Sequence, residues 1–172
     1  MMEFFDVISK RASYRGKFRK TSVPEADLEK ILKAGLQAPS GYNLQTTRYY
    51  VVTSAAVRLE IARLLPTPAV RTAPVILVPV SVYETTDSGL SFETEDYGAS
   101  VENVLLAAAA LGYACVWMDG QVRFDGIAEK LEELLELPAG EYLRAVIPLG
   151  IPEEEPVQKE KKPLSERVVF IR

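Results

Sequence analysis

The sequence predicts a layered fold of the α+β or α/β class, because segments with helical and strand patterns alternate along the chain. The strongest helix pattern lies over 21–38, where Ser22 and Glu25 form a Ser-x-x-Glu capping sequence ahead of an apolar stripe. The strongest strand pattern is the apolar run APVILVPVSV at 73–82, which is typical of a strand buried on both faces. Pro79 within this run predicts a bulge or a strand end. We therefore expect a central sheet covered by helices.

The other elements follow from the same two periodicities. Helical patterns cover 3–12, 55–65, 97–111 and 126–137, and strand patterns cover 48–54, 114–118 and 143–152. The 97–111 helix is apolar on nearly all sides and should be the buried central one, with Gly112 as a left-handed cap. The polar 83–96 stretch is interpreted as a loop or lid. Because no repeat or linker interrupts the chain, we expect residues 1–172 to form one domain.

Composition and charge describe an ordinary globular chain. Its 172 residues are 48% hydrophobic and 26% charged, with a net charge of −4. An acidic chain has no global basic field, so neither nucleic acid nor a membrane is an expected partner. The N-terminus has no uninterrupted apolar run of the kind a secretion signal needs, which predicts a cytoplasmic protein.

Two absences restrict the possible chemistry. The chain contains no histidine, which excludes Ser-His and Cys-His nucleophiles, an imidazole base and histidine metal sites. Cys115 is the single cysteine, so no internal disulfide and no cysteine zinc cluster can form within one chain. The position of Cys115 beside Val116 and Trp117 favours a packing role. A bound cofactor is therefore a better candidate than a side-chain relay, and we expect no catalytic side chain and no metal.

Three polar clusters remain as candidates for a site. They are RASYR at 11–15, APSGYNLQ at 38–45 and KEKK at 159–162. Taken singly, each has a bland interpretation: cations at a helix end, a connecting loop and a solvated charge run. However, two arginines around a serine hydroxyl form a suitable set of donors for a phosphate monoester.

The order and spacing of these clusters resemble those of the nitroreductase family of FMN-dependent oxidoreductases. The family pattern reads Arg-x-Ser-x-Arg, then Ala-Pro-Ser-x-x-Asn-x-Gln, then Leu-Gly before a strand with Trp and Gly, and finally Leu-Gly-x-Pro before basic residues and Pro-Leu. The matching residues here are 11–15, 38–45, Leu111, Gly112, Trp117, Gly120, 149–152, Lys159, Lys161, Pro163 and Leu164. The resemblance spans nearly the whole chain. It implies a three-layer α+β fold with a central, mainly antiparallel sheet flanked by helices.

The resemblance also assigns residues to the cofactor. Arg11, with the backbone beside Ala12 and Ser13, would meet the phosphate and ribityl chain of FMN. Lys159 and Lys161 would join them from the C-terminal tail, with Lys162 as the alternative to Lys161.

The flavin ring has its own implied neighbours. Arg15 matches the position at the pyrimidine edge, where a fixed cation favours the anionic reduced flavin. Asp119 and Gly120 match the segment whose backbone N–H approaches N5, the atom that exchanges hydride.

A homodimer with flavin sites at its interface is a further implication. Pro39, Ser40, Asn43 and Gln45 match a loop that reaches across the interface to line the partner's flavin. Gly41 would give that loop its conformational freedom. The apolar C-terminal VVFI should not lie in water, so we expect an arm that packs on the partner subunit.

The implied activity is a ping-pong cycle. NADH or NADPH reduces FMN and leaves, and a small electrophilic acceptor such as a nitroaromatic or a quinone then takes the electrons. Dehalogenation and enone or aldehyde reduction are alternatives on the same fold, and a flavin carrier or sensor and a ligand-free structural dimer are non-enzymatic ones. The chain departs from many relatives at Thr46 and Thr47, where they have Pro-Trp. Arg71 is a further candidate contact, and the 84–96 region matches nothing in the family pattern.

Overall fold

The elements alternate as the sequence patterns indicate. The computed structural model describes residues 3–172. The helices are α1 (Phe4–Lys10), α2 (Glu25–Leu36), α3 (Ala55–Leu64), α4 (Pro68–Thr72), α5 (Glu93–Ala110) and α6 (Ile127–Leu134). The strands are β1 (Thr47–Val52), β2 (Val75–Val82), β3 (Ala114–Cys115), β4 (Glu141–Leu143) and β5 (Ile147–Gly150). None of the helices within 3–172 combines the length and apolarity that crossing a membrane requires.

A central antiparallel sheet organises these elements. Its strand order is β1-β2-β5-β3. One edge of β2 pairs with β1, and the opposite edge pairs first with β5 and then, further along, with β4. Every residue of β2 except Val82 is buried. The predicted central strand and the mainly antiparallel sheet are therefore confirmed.

The two faces of the sheet carry two separate cores. Ile76, Val78 and Val80 of β2 pack on one face with α3, α4 and α6. Val75 and Leu77 pack on the opposite face with α2 and α5. Because side chains alternate along a strand, one apolar run supplies both cores. The result is the three-layer arrangement that the resemblance implies.

Pro79 interrupts neither β2 nor its pairing with β1, so the predicted bulge or end is wrong. Pro79 lies opposite Tyr49 in a continuous register. On the other edge of β2, β5 pairs up to Leu77 and β4 begins at Val80. The Pro79 carbonyl accepts from Arg144 on that edge, so the missing N–H falls in the gap where β2 changes partner. A proline is tolerated there because no ladder donor is lost.

Several boundaries differ from the predicted ones. Ser22 makes no cap hydrogen bond, and Pro24 precedes the first residue of α2 instead. Helix α5 begins at Glu93 because acidic residues in its first turn favour a helix N-terminus, which shortens the predicted loop. The 143–152 pattern divides into the end of β4 and the whole of β5. Gly112 takes the left-handed conformation, with φ of 83°, as predicted.

Cys115 provides a test of the packing around β3. Its side chain is buried, and this burial raises the pKa of the thiol to about 12. We expect iodoacetamide at pH 8 to leave the folded protein unmodified, because the reactive thiolate is not populated below the pKa. Mass spectrometry measures the modification, and protein unfolded in urea is the control that must react. Rapid modification of the folded protein would contradict the buried position.

Candidate functional site

The segment that follows α1 runs beside β3 as an extended strand. The Tyr14 N–H donates to the Cys115 carbonyl at 3.0 Å, and Ser13 forms a parallel bridge with Cys115. Ala12 and Tyr14 are buried on the inner face of this segment, with 7% and 6% of their surface exposed. The alternation of an extended chain therefore places Arg11, Ser13 and Arg15 together on the outer face.

Arg11 sits where α5 and the C-terminal tail meet this segment. Its Nε lies 3.5 Å from the Glu102 carboxylate, and its carbonyl accepts a hydrogen bond from the Gln158 Nε2 at 2.5 Å. Arg11, Ala12 and Gln158 line a cleft of about 590 Å³. The tail thus returns to the N-terminal segment, and the resemblance implies that the two segments share a phosphate site.

Arg15 lines a second cleft. This cleft has a volume of about 370 Å³, and its lining includes Arg15, Trp117, Asp119 and Gly120. Within residues 3–172 the Arg15 guanidinium makes one long hydrogen bond, of 3.4 Å, to the Ser13 carbonyl. A Cβ added at Gly120 would meet nothing within 4 Å, so the space beside this backbone is open. The structure therefore brings a largely free cation and an open glycine backbone to one cleft.

Asp119 is held by two residues that the sequence analysis missed. Arg123 donates to the Asp119 carboxylate from Nε at 2.5 Å and from Nη2 at 2.6 Å. The Tyr97 hydroxyl, from α5, donates to the same carboxylate at 3.3 Å. Burial and the nearby Asp119 charge raise the pKa of Tyr97, so this tyrosine stays protonated as a donor. Asp119 and Arg123 are four residues apart, and oppositely charged residues at this spacing pair when the chain is helical, so the sequence contained a signal for this contact.

The loop over 40–46, called the 40–46 loop below, adopts a strained conformation. Tyr42, Asn43 and Gln45 have φ angles of 51°, 57° and 52°. Residues other than glycine rarely adopt positive φ, and three in one short loop require strong restraint by their surroundings. Such backbone strain is concentrated at functional sites in proteins.

A buried carboxylate on α5 supplies that restraint. The Oδ1 of Asp96 accepts the Gly41 N–H at 2.8 Å, and its Oδ2 accepts the Thr46 hydroxyl at 2.8 Å. Within the loop, the Ser40 Oγ accepts the Gln45 N–H at 3.1 Å. Asp96 is not among the predicted site residues, because it lies in the 83–96 stretch that the sequence pattern indicated as a loop or lid.

Gly41 contributes space and not conformational freedom, which corrects the sequence interpretation. The positive φ angles in this loop belong to its neighbours and not to Gly41. A Cβ added at Gly41 would lie 2.5 Å from the Phe92 Cβ. The loop can approach α5 only because position 41 carries no side chain.

The 40–46 loop and the Arg15 cleft contact different sides of α5. Asp96 holds the loop, whereas Tyr97 bonds Asp119 of the Arg15 cleft. Neighbouring residues on a helix point about 100° apart. Pro39, Ser40 and Gln45 line a separate cleft of about 130 Å³. Within one subunit, the loop residues are therefore not brought to the Arg15 cleft.

The remaining candidate cations lie elsewhere. Lys159 and Lys161 are exposed and form no hydrogen bond or ion pair in the part of the chain that the structure describes. Lys159 directly follows Gln158, whose side chain donates to the Arg11 carbonyl, and Lys161 lies two residues further along. Arg71 lines a different groove, beside Arg58 and Arg63 on α3. Arg71 is therefore not grouped with Arg11 or Arg15.

Comparisons with known proteins agree on one family. The family model described as "Nitroreductase family" matches residues 8–69 and 59–151. A protein from Thermus thermophilus named NADH dehydrogenase is 31% identical over 194 residues, covering 95% of this chain and 93% of the relative. The solved structure of NADPH:FMN oxidoreductase from Vibrio harveyi, in complex with NAD+, is 27% identical with a TM-score of 0.84, covering 98% of this chain and 77% of that one. A Desulfovibrio desulfuricans protein solved in complex with FMN is 26% identical with a TM-score of 0.84, covering 100% and 98%.

Two glycines provide a matched test of this geometry. Gly41→Ala should lower the melting temperature by about 3–10 °C, because the added methyl overpacks against Phe92 at a cost of roughly 1–3 kcal/mol. Gly120→Ala should leave the melting temperature within about 2 °C of the wild-type value, because its Cβ enters open space. Thermal unfolding followed by circular dichroism measures both. Equal losses in the two variants would contradict the close approach at position 41.

Proposed function

Because the chain belongs to the nitroreductase family, we propose that it is an FMN-dependent oxidoreductase. It takes hydride from NADH or NADPH and passes it to a small electrophilic acceptor such as a nitroaromatic or a quinone. The observation that carries this proposal is the polar face of Arg11, Ser13 and Arg15, together with the cleft that Arg15 shares with the open backbone of Gly120.

A flavin nucleotide would occupy the clefts that Arg11 and Arg15 line. Their volumes, about 590 and 370 Å³, fall in the range of small-molecule sites. Arg11 lines the larger cleft and Arg15 the smaller one, so an elongated ligand that occupied both clefts would meet positive charge at two points. Guanidinium groups recognise phosphate and carbonyl oxygens through paired N–H donors. Arg11, the Ala12–Ser13 backbone and the adjoining lysines Lys159 and Lys161 would hold the phosphate and ribityl chain.

The smaller cleft would hold the ring. When bound, FMN supplies a ring nitrogen that accepts and releases hydride. Arg15 provides a fixed positive charge that stabilises electron-rich groups at the cleft, and fixed charges act strongly because they need no reorganisation. Gly120 leaves space for close approach to the backbone, and Arg123 and Tyr97 hold the preceding Asp119 in place. The chain's contribution is positioning and electrostatics, with no side-chain nucleophile.

A homodimer would complete the site. Because the 40–46 loop lies on a different side of α5 from the Arg15 cleft, its Ser40, Asn43 and Gln45, with the adjoining Pro39, would line the flavin of a second copy of the chain. Large apolar side chains remain exposed on this subunit, which is typical of a surface covered by a partner. They include Phe4, Phe5, Leu36, Tyr42, Phe170 and Ile171. The C-terminal arm that carries Phe170 would pack on the partner subunit.

FMN binding and turnover test the proposed function. We expect purified protein to bind FMN with quenched or shifted flavin fluorescence, and to oxidise NADH or NADPH when a nitroaromatic or quinone is supplied. Absorbance at the nicotinamide band measures the turnover. A protein that binds no FMN would refute the cofactor, and one that binds FMN without any nicotinamide oxidation would be a carrier or sensor instead.

Paired arginine variants make the test specific to the site. Arg15→Gln should raise the FMN dissociation constant by about tenfold or more, because it removes charge-assisted hydrogen bonds. Arg63→Gln is the matched control, since Arg63 forms an exposed pair with Glu60 on α3. Equal affinities of these two variants would place FMN somewhere other than the Arg15 cleft.

A further inference from the structure

We propose that Asp96 is a positioning residue, whose buried carboxylate holds the 40–46 loop in the conformation that presents Ser40, Asn43 and Gln45 to FMN. This inference rests on the proposed function, because the loop matters for activity only if it lines a flavin. It adds a second α5 residue, after Tyr97, to a site otherwise built from the N-terminal segment, the 117–120 segment, the C-terminal tail and the loop itself.

The two oxygens of Asp96 bind opposite ends of the loop. Oδ1 accepts the backbone N–H of Gly41, and Oδ2 accepts the hydroxyl of Thr46, both at 2.8 Å. Thr46 is almost completely buried, and Asp96 is 4% exposed. One rigid side chain therefore fixes both ends of the segment, and the residues between them are constrained as a closed turn.

Three of the residues between these ends have a strained backbone and side chains that are exposed to solvent. Tyr42, Asn43 and Gln45 have positive φ and exposed side chains. A chain released from its ends would relax toward the common backbone regions and would turn these side chains elsewhere. Restraint at both ends by Asp96 is therefore what keeps Asn43 and Gln45 directed outward.

The carboxylate depends on the loop as much as the loop depends on it. Within residues 3–172, Asp96 forms no ion pair with a lysine or arginine. A buried carboxylate is costly unless hydrogen-bond donors compensate for lost water. The Gly41 N–H, the Thr46 hydroxyl and the N-terminal end of the α5 dipole provide that compensation. Breaking either contact therefore weakens the whole arrangement.

The Phe92 side chain makes a second contact with the 40–46 loop. The ring of Tyr42 packs on Phe92 with the ring centroids 5.8 Å apart, and Gly41 leaves room for the Phe92 side chain. The first turn of α5 and the residue before it thus provide both a polar and an aromatic contact for the loop. Asp96 supplies the polar contact, and a substitution at position 96 removes it without removing the Phe92 ring.

Substitutions at position 96 separate charge from geometry. Asp96→Ala removes both contacts and should raise the FMN dissociation constant by about 10–100-fold. Asp96→Asn can still accept from Gly41 and can donate to the Thr46 hydroxyl, so it should recover most of the affinity. Amide hydrogen exchange over 40–46 in the FMN-free protein should speed up in Asp96→Ala, while exchange in β2 stays unchanged.

Two further variants keep the test decisive. Thr46→Val removes one contact with little change of shape, and its effect should not add to that of Asp96→Ala because both substitutions remove the same Thr46–Asp96 hydrogen bond. Glu93→Gln is the matched control: Glu93 also lies in the first turn of α5 but pairs with Arg144 at 2.7 Å. The FMN affinity of Glu93→Gln should stay within about twofold of the wild-type value, because this substitution leaves the contacts of the 40–46 loop intact.

The outcomes distinguish this inference from the proposed function. If the wild-type protein binds no FMN, the proposed function fails, and exchange over 40–46 still tests whether Asp96 restrains the loop. If the wild-type protein binds FMN but folded Asp96→Ala binds it equally well, the positioning role is overturned. If Asp96→Ala does not fold, Thr46→Val decides, and an unchanged dissociation constant for that variant overturns the role.

Discussion

One backbone pairing, from the Tyr14 N–H to the Cys115 carbonyl, fixes the location of the candidate site. Strand pairing sets which side chains face outward, and a shift by one residue would exchange the two faces. In the observed register, Ala12 and Tyr14 are buried, Ser13 is exposed, and Arg11 and Arg15 each line a cleft. The same pairing places this segment alongside the chain that leads to Gly120. Binding groups from distant parts of the sequence are therefore aligned by the sheet.

The sheet and the arginine segment could be predicted because their signals are local. The apolar run of β2 identifies a strand buried on both faces without knowledge of its partners. The Arg-x-Ser-x-Arg spacing places three polar side chains on one face of any extended chain. The fold class and the family followed from such patterns and are confirmed, whereas the contacts of the individual site residues with FMN remain predictions.

The missed features depend on contacts between residues far apart in the sequence. Asp96 is 55 residues from Gly41, and nothing in the acidic stretch around it distinguishes the carboxylate that turns inward. Gly41 looked like a flexible turn residue, but its role comes from the approach of Phe92. Pro79 is tolerated because β2 changes partner beside it. Each case requires knowledge of which segments meet, and local patterns do not contain it.

We propose that each flavin site combines the Arg15 cleft of one subunit with the 40–46 loop of the other. The FMN content of mixed dimers tests it most directly, with Arg15→Ala in one subunit and Asn43→Ala and Gln45→Ala in its partner. If the loop acts across the interface, one site carries all the defects and the other is intact, so the mixed dimer binds one FMN with wild-type affinity. Two weakened sites and no intact one would contradict the account.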